Sequence, residues 1–282
     1  MLSRLSRYFL PLSLLLCSPL LVAQEPLDID LRGDAVQGGL LFGKAPAGTR
    51  VFWGGREVRV TENGDFVLGM GRDNRELMVL RFEGPGERQR QTVVEVAGRE
   101  YQIQEINGIS RKIMSPNEED LQRIRQESAQ VGTARRVDSS RTDFLEGFQW
   151  PLHGPITGVF GSQRVYNGVP KRPHFGVDVA APTGTPVKAP VSGKVTLAHD
   201  NMFYSGGTLM IDHGYGLSSS FLHLSRILVE EGEEVSQGQV VAEVGATGRV
   251  TGAHLDWRMN WYDQRIDPQL LVGPMPELAS DK

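Results

Sequence analysis

HFGVDVAAPTGTPV, residues 174–187, holds His174 and Asp178 four positions apart. That spacing places two side chains on one face of a helix, but the company they keep argues otherwise. Pro173, Gly176 and Pro182 break a helical turn, and Val177 and Val179 favour extended backbone. The stretch therefore reads as a loop leading into a β-strand. In a fully extended strand the two residues would stand on the order of 13 Å apart, too far to share one ion. A shared ligand requires a bend, and Gly176 is where the backbone can supply it.

Working outward, residues 148–272 keep this Gly-rich, strand-like character. VKAPVSGKVTLAHD, GGTLMIDHGYGLSSSFLHLS and GQVVAEVGATG are apolar runs between turn residues. Two further histidines fall in such runs: His223 in FLHLS and His254 in TGAHLDWRMNW (251–261). In the latter Asp256 follows at i+2, hence on the same face of a strand. Each alone is a weak signal, since a lone His among apolar residues is more often a packed histidine than a catalyst. Three histidines and two carboxylates in one β region form a stronger one. His153, His199 and His213 sit in turns or at strand ends and receive no role.

The rest of the chain divides by pattern. The first 23 residues place Arg4 and Arg7 before an apolar run, Tyr8 to Val22, and then Ala23, the order of a secretory signal. Pro11 and Pro19 make it a poor membrane span. The expectation is an exported, periplasmic protein free of the membrane after cleavage. The single cysteine of the 282 residues, Cys17, lies inside this segment, which leaves no thiolate for a disulfide or metal site in the mature chain. Taking Arg4 and Arg7 from 30 basic residues leaves 28 against 34 acidic ones, a balance of −6, which disfavours nucleic acid as a partner.

Residues 27–110 show short alternating apolar runs: VRVTENGDFVLG, with Asn63 and Gly64 as a two-residue hairpin turn, then LMVLRF, TVVEV and YQIQEI. Six or seven strands in this length predict a small β-sandwich, a binding or spacing module. Residues 115–145 predict a helix and a linker. Ser115 is the N-cap, Pro116 the first helical residue and Glu118 completes a capping box. Leu121, Ile124, Ser128 and Val131 form a stripe too narrow for a core, fit to dock the helix on something else. The polar run 132–143 reads as a linker, and 273–282 as a C-terminal tail. The fold class expected is mainly β: an N-terminal sandwich, one linking α-helix and a C-terminal antiparallel β domain over 146–272.

In order, WPLHGPITGVFGSQR, HFGVDVAAPTGTPV, APVSGKV, IDHGYG, FLHLS, VSQGQVVAEVGATG and TGAHLDW resemble the LytM/lysostaphin-type zinc metallopeptidases over about 120 residues. The resemblance implies that His174 and Asp178 bind zinc, that His223 and His254 flank the attacking water, and that Asp256 stands at the third ligand's place. There the family has the second His of an HxH motif. Asp256 is a competent zinc ligand, but a second carboxylate lowers the charge of the centre. The rival reading is that Asp256 hydrogen-bonds a neighbouring strand or Arg258. Arg164 matches a polar position near the family's cleft. The implied activity is hydrolysis of peptide cross-links of peptidoglycan, whose peptide stems would be the partner. The alternative is a non-catalytic member that activates another cell-wall hydrolase, with that hydrolase or the division machinery as partner. APVSGKV and GEEVSQGQVVAEVG also suit lipoyl and biotinyl carrier domains, but the interval between them lacks a Lys for the cofactor.

Overall fold

The computed structural model describes residues 27–86, 88–106, 117–166 and 168–276. The signal-like segment, Ser115, Pro116 and most of the tail lie outside these. In chain order the first strands are β1 (Asp30–Arg32), β2 (Leu40–Lys44), β3 (Arg50–Trp53), β4 (Arg56–Val58), β5 (Asp65–Gly69), β6 (Leu77–Glu83), β7 (Gln89–Glu95) and β8 (Ile103–Ile106). Helix α1 (Glu118–Arg135) follows. The second half contains β9 (Ile156–Gly158), β10 (Gln163–Tyr166), β11 (Val169–Pro170), β12 (Val177–Ala180), β13 (Pro186–Lys188), β14 (Gly193–Met202), β15 (Gly206–Gly214), β16 (Leu217–Leu224), β17 (Arg226–Ile227), β18 (Glu234–Val235), β19 (Val240–Glu243), β20 (His254–Trp261) and β21 (Gln264–Ile266), then the short α2 (Gln269–Val272).

The chain is mainly β and antiparallel, as its alternating apolar runs predict. In the first half a sheet ordered β1-β2-β5 faces one ordered β4-β3-β6-β7. Phe66 and Phe82 meet between them with ring centroids 6.1 Å apart. The turn at Asn63 and Gly64 is present, with the Gly64 N–H donating to the Thr61 carbonyl at 2.9 Å. It does not close a hairpin. β4 pairs with β3 and β5 with β2, so the turn carries the chain from one sheet to the other. The last run assigned to the sandwich also goes elsewhere: β8 pairs in parallel with β10 of the second half.

The large sheet of the second half is ordered β18-β14-β15-β16-β20-β12-β9, with β21 on β20. Its middle strands β15 and β16 are buried at every position, so they cannot show the polar and apolar alternation of a one-sided sheet. One reason is α1. Its Ala134 and Val131 cover Leu197, Met202 and Met210 on one face of the sheet. The N-cap of α1 is Asn117, whose side-chain oxygen accepts the Asp120 N–H at 2.8 Å, two residues later than the Ser115 expected from the capping box.

The predicted linker, 132–143, is no free tether. Its first four residues complete α1. After them Arg59 pairs with Asp138 at 2.7 Å, the Tyr262 hydroxyl donates to Asp138 at 3.2 Å, and Arg141 bonds Glu234 at 3.0 Å. One continuous apolar core runs from Leu27 and Phe66 in the first half to Trp257 and Ile266 in the second. The buried Asp267 is held by Arg99 from the first half at 2.8 Å.

Candidate active site

β12 lies beside β20 with Asp178 directly opposite Asp256. Side chains paired this way point to the same side of a sheet, so His254, Asp256 and Arg258 on β20 share a face with Asp178. The bend before β12 returns His174 to this face, and its Nε2 stands 3.3 Å from Asp178 Oδ1. His174, Asp178 and Asp256 thus offer three ligand atoms within 4.8 Å of one another. Gly176 serves this closure differently from the expectation. Its φ is ordinary, but a Cβ there would sit 2.5 Å from Asp256 Oδ1 and 2.6 Å from Arg258 Cγ. The glycine supplies room, not unusual backbone. Gly158 on β9 does the same for the Asp178 carboxylate, which a Cβ would overlap.

The two remaining histidines face each other, with ring centroids 5.0 Å apart. His223 ends β16 with a φ of +67°, a left-handed conformation that is uncommon for a residue with a side chain. The register of β15 against β16 shifts at this point, and the shift turns the ring out of the apolar strand into the cleft. Each ring is oriented by a main-chain carbonyl: Nδ1–H of His223 donates to Thr247 at 2.9 Å, and Nδ1–H of His254 donates to Gly252 at 2.9 Å. Since a carbonyl only accepts, the proton is on Nδ1, and both Nε2 atoms carry a lone pair. His254 Nε2 lies 3.8 Å from Asp178 Oδ1. Burial pushes the His223 pKa below its ordinary value, which keeps the ring neutral and basic near pH 7.

A metal fits the first half of this set. His174 Nε2 and Asp178 Oδ1 are both buried and face each other at 3.3 Å without a well-aligned hydrogen bond, a costly state unless something else engages them. Burial opposes the charged form of His174, but donation from the protonated ring to the Asp178 carboxylate and the charge of Asp256 outweigh it and raise the pKa. Asp256 is different. Arg258 Nε donates to its two oxygens at 2.9 and 3.1 Å, and Nη2 also bonds Oδ2. Burial favours the protonated acid, yet the Arg258 charge and hydrogen bonds prevail and hold Asp256 below its usual range. A carboxylate has about four acceptor positions, so the fork leaves room for a further ligand bond while reducing the charge available to it. The structure thus brings together all five residues singled out from the sequence, and the contact of the rival reading, Asp256 with Arg258, is present as well. The side chain of Arg164 is outside the described residues.

More guanidinium groups stand nearby. Arg135 from α1, Arg172 from the loop before His174, Arg249, Arg258 and Arg265 line one cavity of about 370 Å³ that also reaches His223. No sequence pattern flags them, because they come from five separate segments of the chain. Arg172 precedes HFGVD, Arg249 follows VSQGQVVAEVGATG and Arg258 follows HLDW, but no motif gathers them.

An antiparallel sheet carrying a His and two Asp within reach of one ion, with two imidazole bases alongside, is the arrangement of a metallopeptidase. Residues 172–268 match the description of Peptidase family M23. The crystal structure of a putative peptidase M23 from Pseudomonas aeruginosa is 32% identical, with a TM-score of 0.66 over 85% of this chain and 96% of that one. The chain belongs to Peptidase family M23. Among curated proteins, it is 36% identical over 144 residues to the peptidoglycan DD-endopeptidase ShyB of Vibrio cholerae, a match covering 51% of this chain and 31% of that protein. It is 40% identical over 108 residues to the DD-carboxypeptidase/endopeptidase Mpg of Neisseria meningitidis, covering 38% of this chain and 25% of that protein. The chain therefore spans about a third or less of these curated relatives.

Proposed function

We propose that this protein is an exported zinc endopeptidase that hydrolyses peptide cross-links of peptidoglycan. The observation that carries the reading is the convergence of His174, Asp178 and Asp256, whose ligand atoms lie within 4.8 Å of one another beside the facing imidazoles of His223 and His254. Relatives named as DD-endopeptidases support the substrate class. His174, Asp178 and Asp256 would hold the zinc, which supplies a Lewis acid for the scissile carbonyl and for the attacking water. His223 Nε2, kept neutral by burial, takes the proton of that water, since its lone pair faces the cleft and its Nδ1–H is anchored on Thr247. His223 then returns that proton from Nε2 to the leaving amine, and His254, across from it, would stabilise the oxygen that gains charge once it has taken up a proton at Nε2. Among the described residues no helix is long and apolar enough to cross a membrane.

One observation favours a second reading. Arg258 engages both oxygens of Asp256, and a zinc site whose third ligand is held in an ion pair binds metal less tightly than three free ligands would. A chain with a weakened site would serve as a regulator of another wall hydrolase. The two are separated by incubating zinc-replete protein with isolated sacculi, with and without chelator, and analysing the released fragments. Chelator-sensitive release of peptides that is lost in His174→Ala and Asp178→Ala supports the peptidase. If no fragments appear, but a separate hydrolase is stimulated, the regulator replaces it.

A further inference from the structure

The arginine-lined cavity is a feature that the peptidase chemistry leaves unused. Strand pairing places it on the same sheet face as the candidate centre: Ser220 on β16 lies opposite Arg258 on β20, two pairs along from Leu222 opposite Asp256. On its other side Ser220 pairs with Met210, which α1 covers. The cavity is therefore floored by the sheet, walled by α1 and continuous with His223.

Its charge is unbalanced. Among the described residues, of the five arginines only Arg258 has a carboxylate, Asp256. Arg265 donates to the Asn260 side-chain oxygen at 2.9 Å, and Arg172 and Arg249 lie over the rings of Phe175 and Tyr204. Arg135 makes no hydrogen bond among the described residues, and its Nε is fully buried and unpartnered. The one other acid on the wall, Glu127, is already engaged by Arg123 and the Phe203 N–H. The crowding is felt by the groups themselves. Burial, with the charges of Arg172 and Arg258, lowers the Arg135 pKa to about 10. Burial, with Arg135, Arg258 and Arg172, lowers that of Arg265 to about 9. An independent sign comes from the floor: Ser220, 4% exposed, has a buried hydroxyl without a partner. Arg135 and Arg265, half-buried without a carboxylate, and an orphaned hydroxyl around a hollow are costly unless an anion completes them. Guanidinium forks suit one chemistry in particular, the planar or tetrahedral oxyanion.

We infer that this cavity is a binding site for a carboxylate or phosphate group, held by Arg135, Arg172, Arg249 and Arg265 and by the Ser220 hydroxyl. Its position beside His223 favours a carboxylate carried by a peptide lying in the adjoining cleft. Because Arg135 belongs to α1, the bound anion also ties that helix to the sheet. The inference does not depend on the peptidase reading, since binding is measured without hydrolysis.

The test is calorimetric titration of the purified protein, at constant ionic strength set with chloride. The probes are inorganic phosphate, acetyl-D-alanyl-D-alanine and the C-terminal amide of that dipeptide. Phosphate or the free acid should bind above the chloride background. Arg135→Gln and Arg265→Gln should each weaken that binding about tenfold or more, the worth of a charge-assisted hydrogen bond. Both variants should melt no lower than wild type in chloride, since each relieves like-charge crowding. Ser220→Ala, a milder change, should weaken binding a few-fold and keeps the test open should an arginine variant not fold. Binding of the acid but not of the amide assigns the site to a peptide carboxylate; binding of phosphate alone assigns it to a phosphate ligand. If neither probe exceeds chloride, or if the variants bind as wild type does, the site assignment is overturned.

Discussion

Asp256 and Arg258 are the residues on which the chemistry of this protein turns. A buried ion pair contributes little net stability, but removing one partner strands the other and typically costs about 3–5 kcal/mol. The change that would give the centre two histidines, Asp256→His, is therefore expected to destabilise the fold by that order, because Arg258 would join Arg135, Arg172 and Arg265 without its carboxylate. Combining it with Arg258→Met should recover most of the stability and bind zinc more tightly than wild type, as read by urea unfolding and metal titration. An Asp256→His protein as stable as wild type would mean that the fork is dispensable. A second residue, His213, has no place in the cleft. It is fully buried, with Nδ1 donating to the Ser192 carbonyl at 2.8 Å and Nε2 2.6 Å from the Ser219 hydroxyl. Burial lowers its pKa to about 4. The unfolded chain takes up that proton near pH 6.5 and the folded chain only near 4. Its contribution is thus present above about pH 6.5 and lost as pH falls toward 4, by about 3 kcal/mol. His213→Asn should flatten the acid side of the stability profile by that amount relative to wild type; parallel profiles would refute the assignment.

At the scale of elements, α1 forms one wall of the cavity beside the candidate centre. The narrow stripe read from the sequence is real: Ile124, Ser128 and Val131 face the cavity, and Val131 with Ala134 covers Met202 and Met210. The helix buries few residues of its own and is joined to the sheet through Arg123 and Glu127, which bond the main chain at Asn201 and Phe203. Val131→Asp places a charge on that apolar seam and should detach the helix at modest global cost. Amides of α1 should then exchange with solvent faster while those of β15 and β16 stay protected. If the helix restrains the cleft, peptide release from soluble muropeptides should rise several-fold; unchanged or lower release leaves α1 a positioning role. This variant tests restraint better than truncation near Phe144, which would strip away strands that share the core.

For the whole molecule, the continuous core and the Arg99–Asp267 pair mean that neither half is complete alone. Thermal or urea unfolding should follow one cooperative transition, coincident by far-ultraviolet circular dichroism and by tryptophan fluorescence from Trp53 in the first half and Trp257 and Trp261 in the second. Arg99→Ala should lower it by about 3 kcal/mol, since Asp267 would be left charged and buried. Two well-separated transitions would instead define two independent domains.

Local pattern was enough for much of this. Alternating apolar runs specify strands because a pleated strand has a period of two, and HxD specifies a shared face for the same reason. The carboxylates and histidines of the centre were therefore legible at His174, Asp178, His223, His254 and Asp256. Pairing was not. Whether Asn63–Gly64 closes a hairpin or crosses between sheets depends on which strands find partners, a long-range matter, and so does the parallel seat of β8 on β10. Capping moved by two residues because a side chain and an N–H need only meet locally, and Asn117 competes with Ser115 on equal terms. The arginine cavity was hidden most deeply, since its members are scattered from Arg135 to Arg265 and charge has no sequence period on a folded surface. Sequence determined which side chains could do chemistry; only the tertiary structure decided which charges would stand together, because the energy that matters between them depends on distance and burial, and neither exists until the sheet is closed.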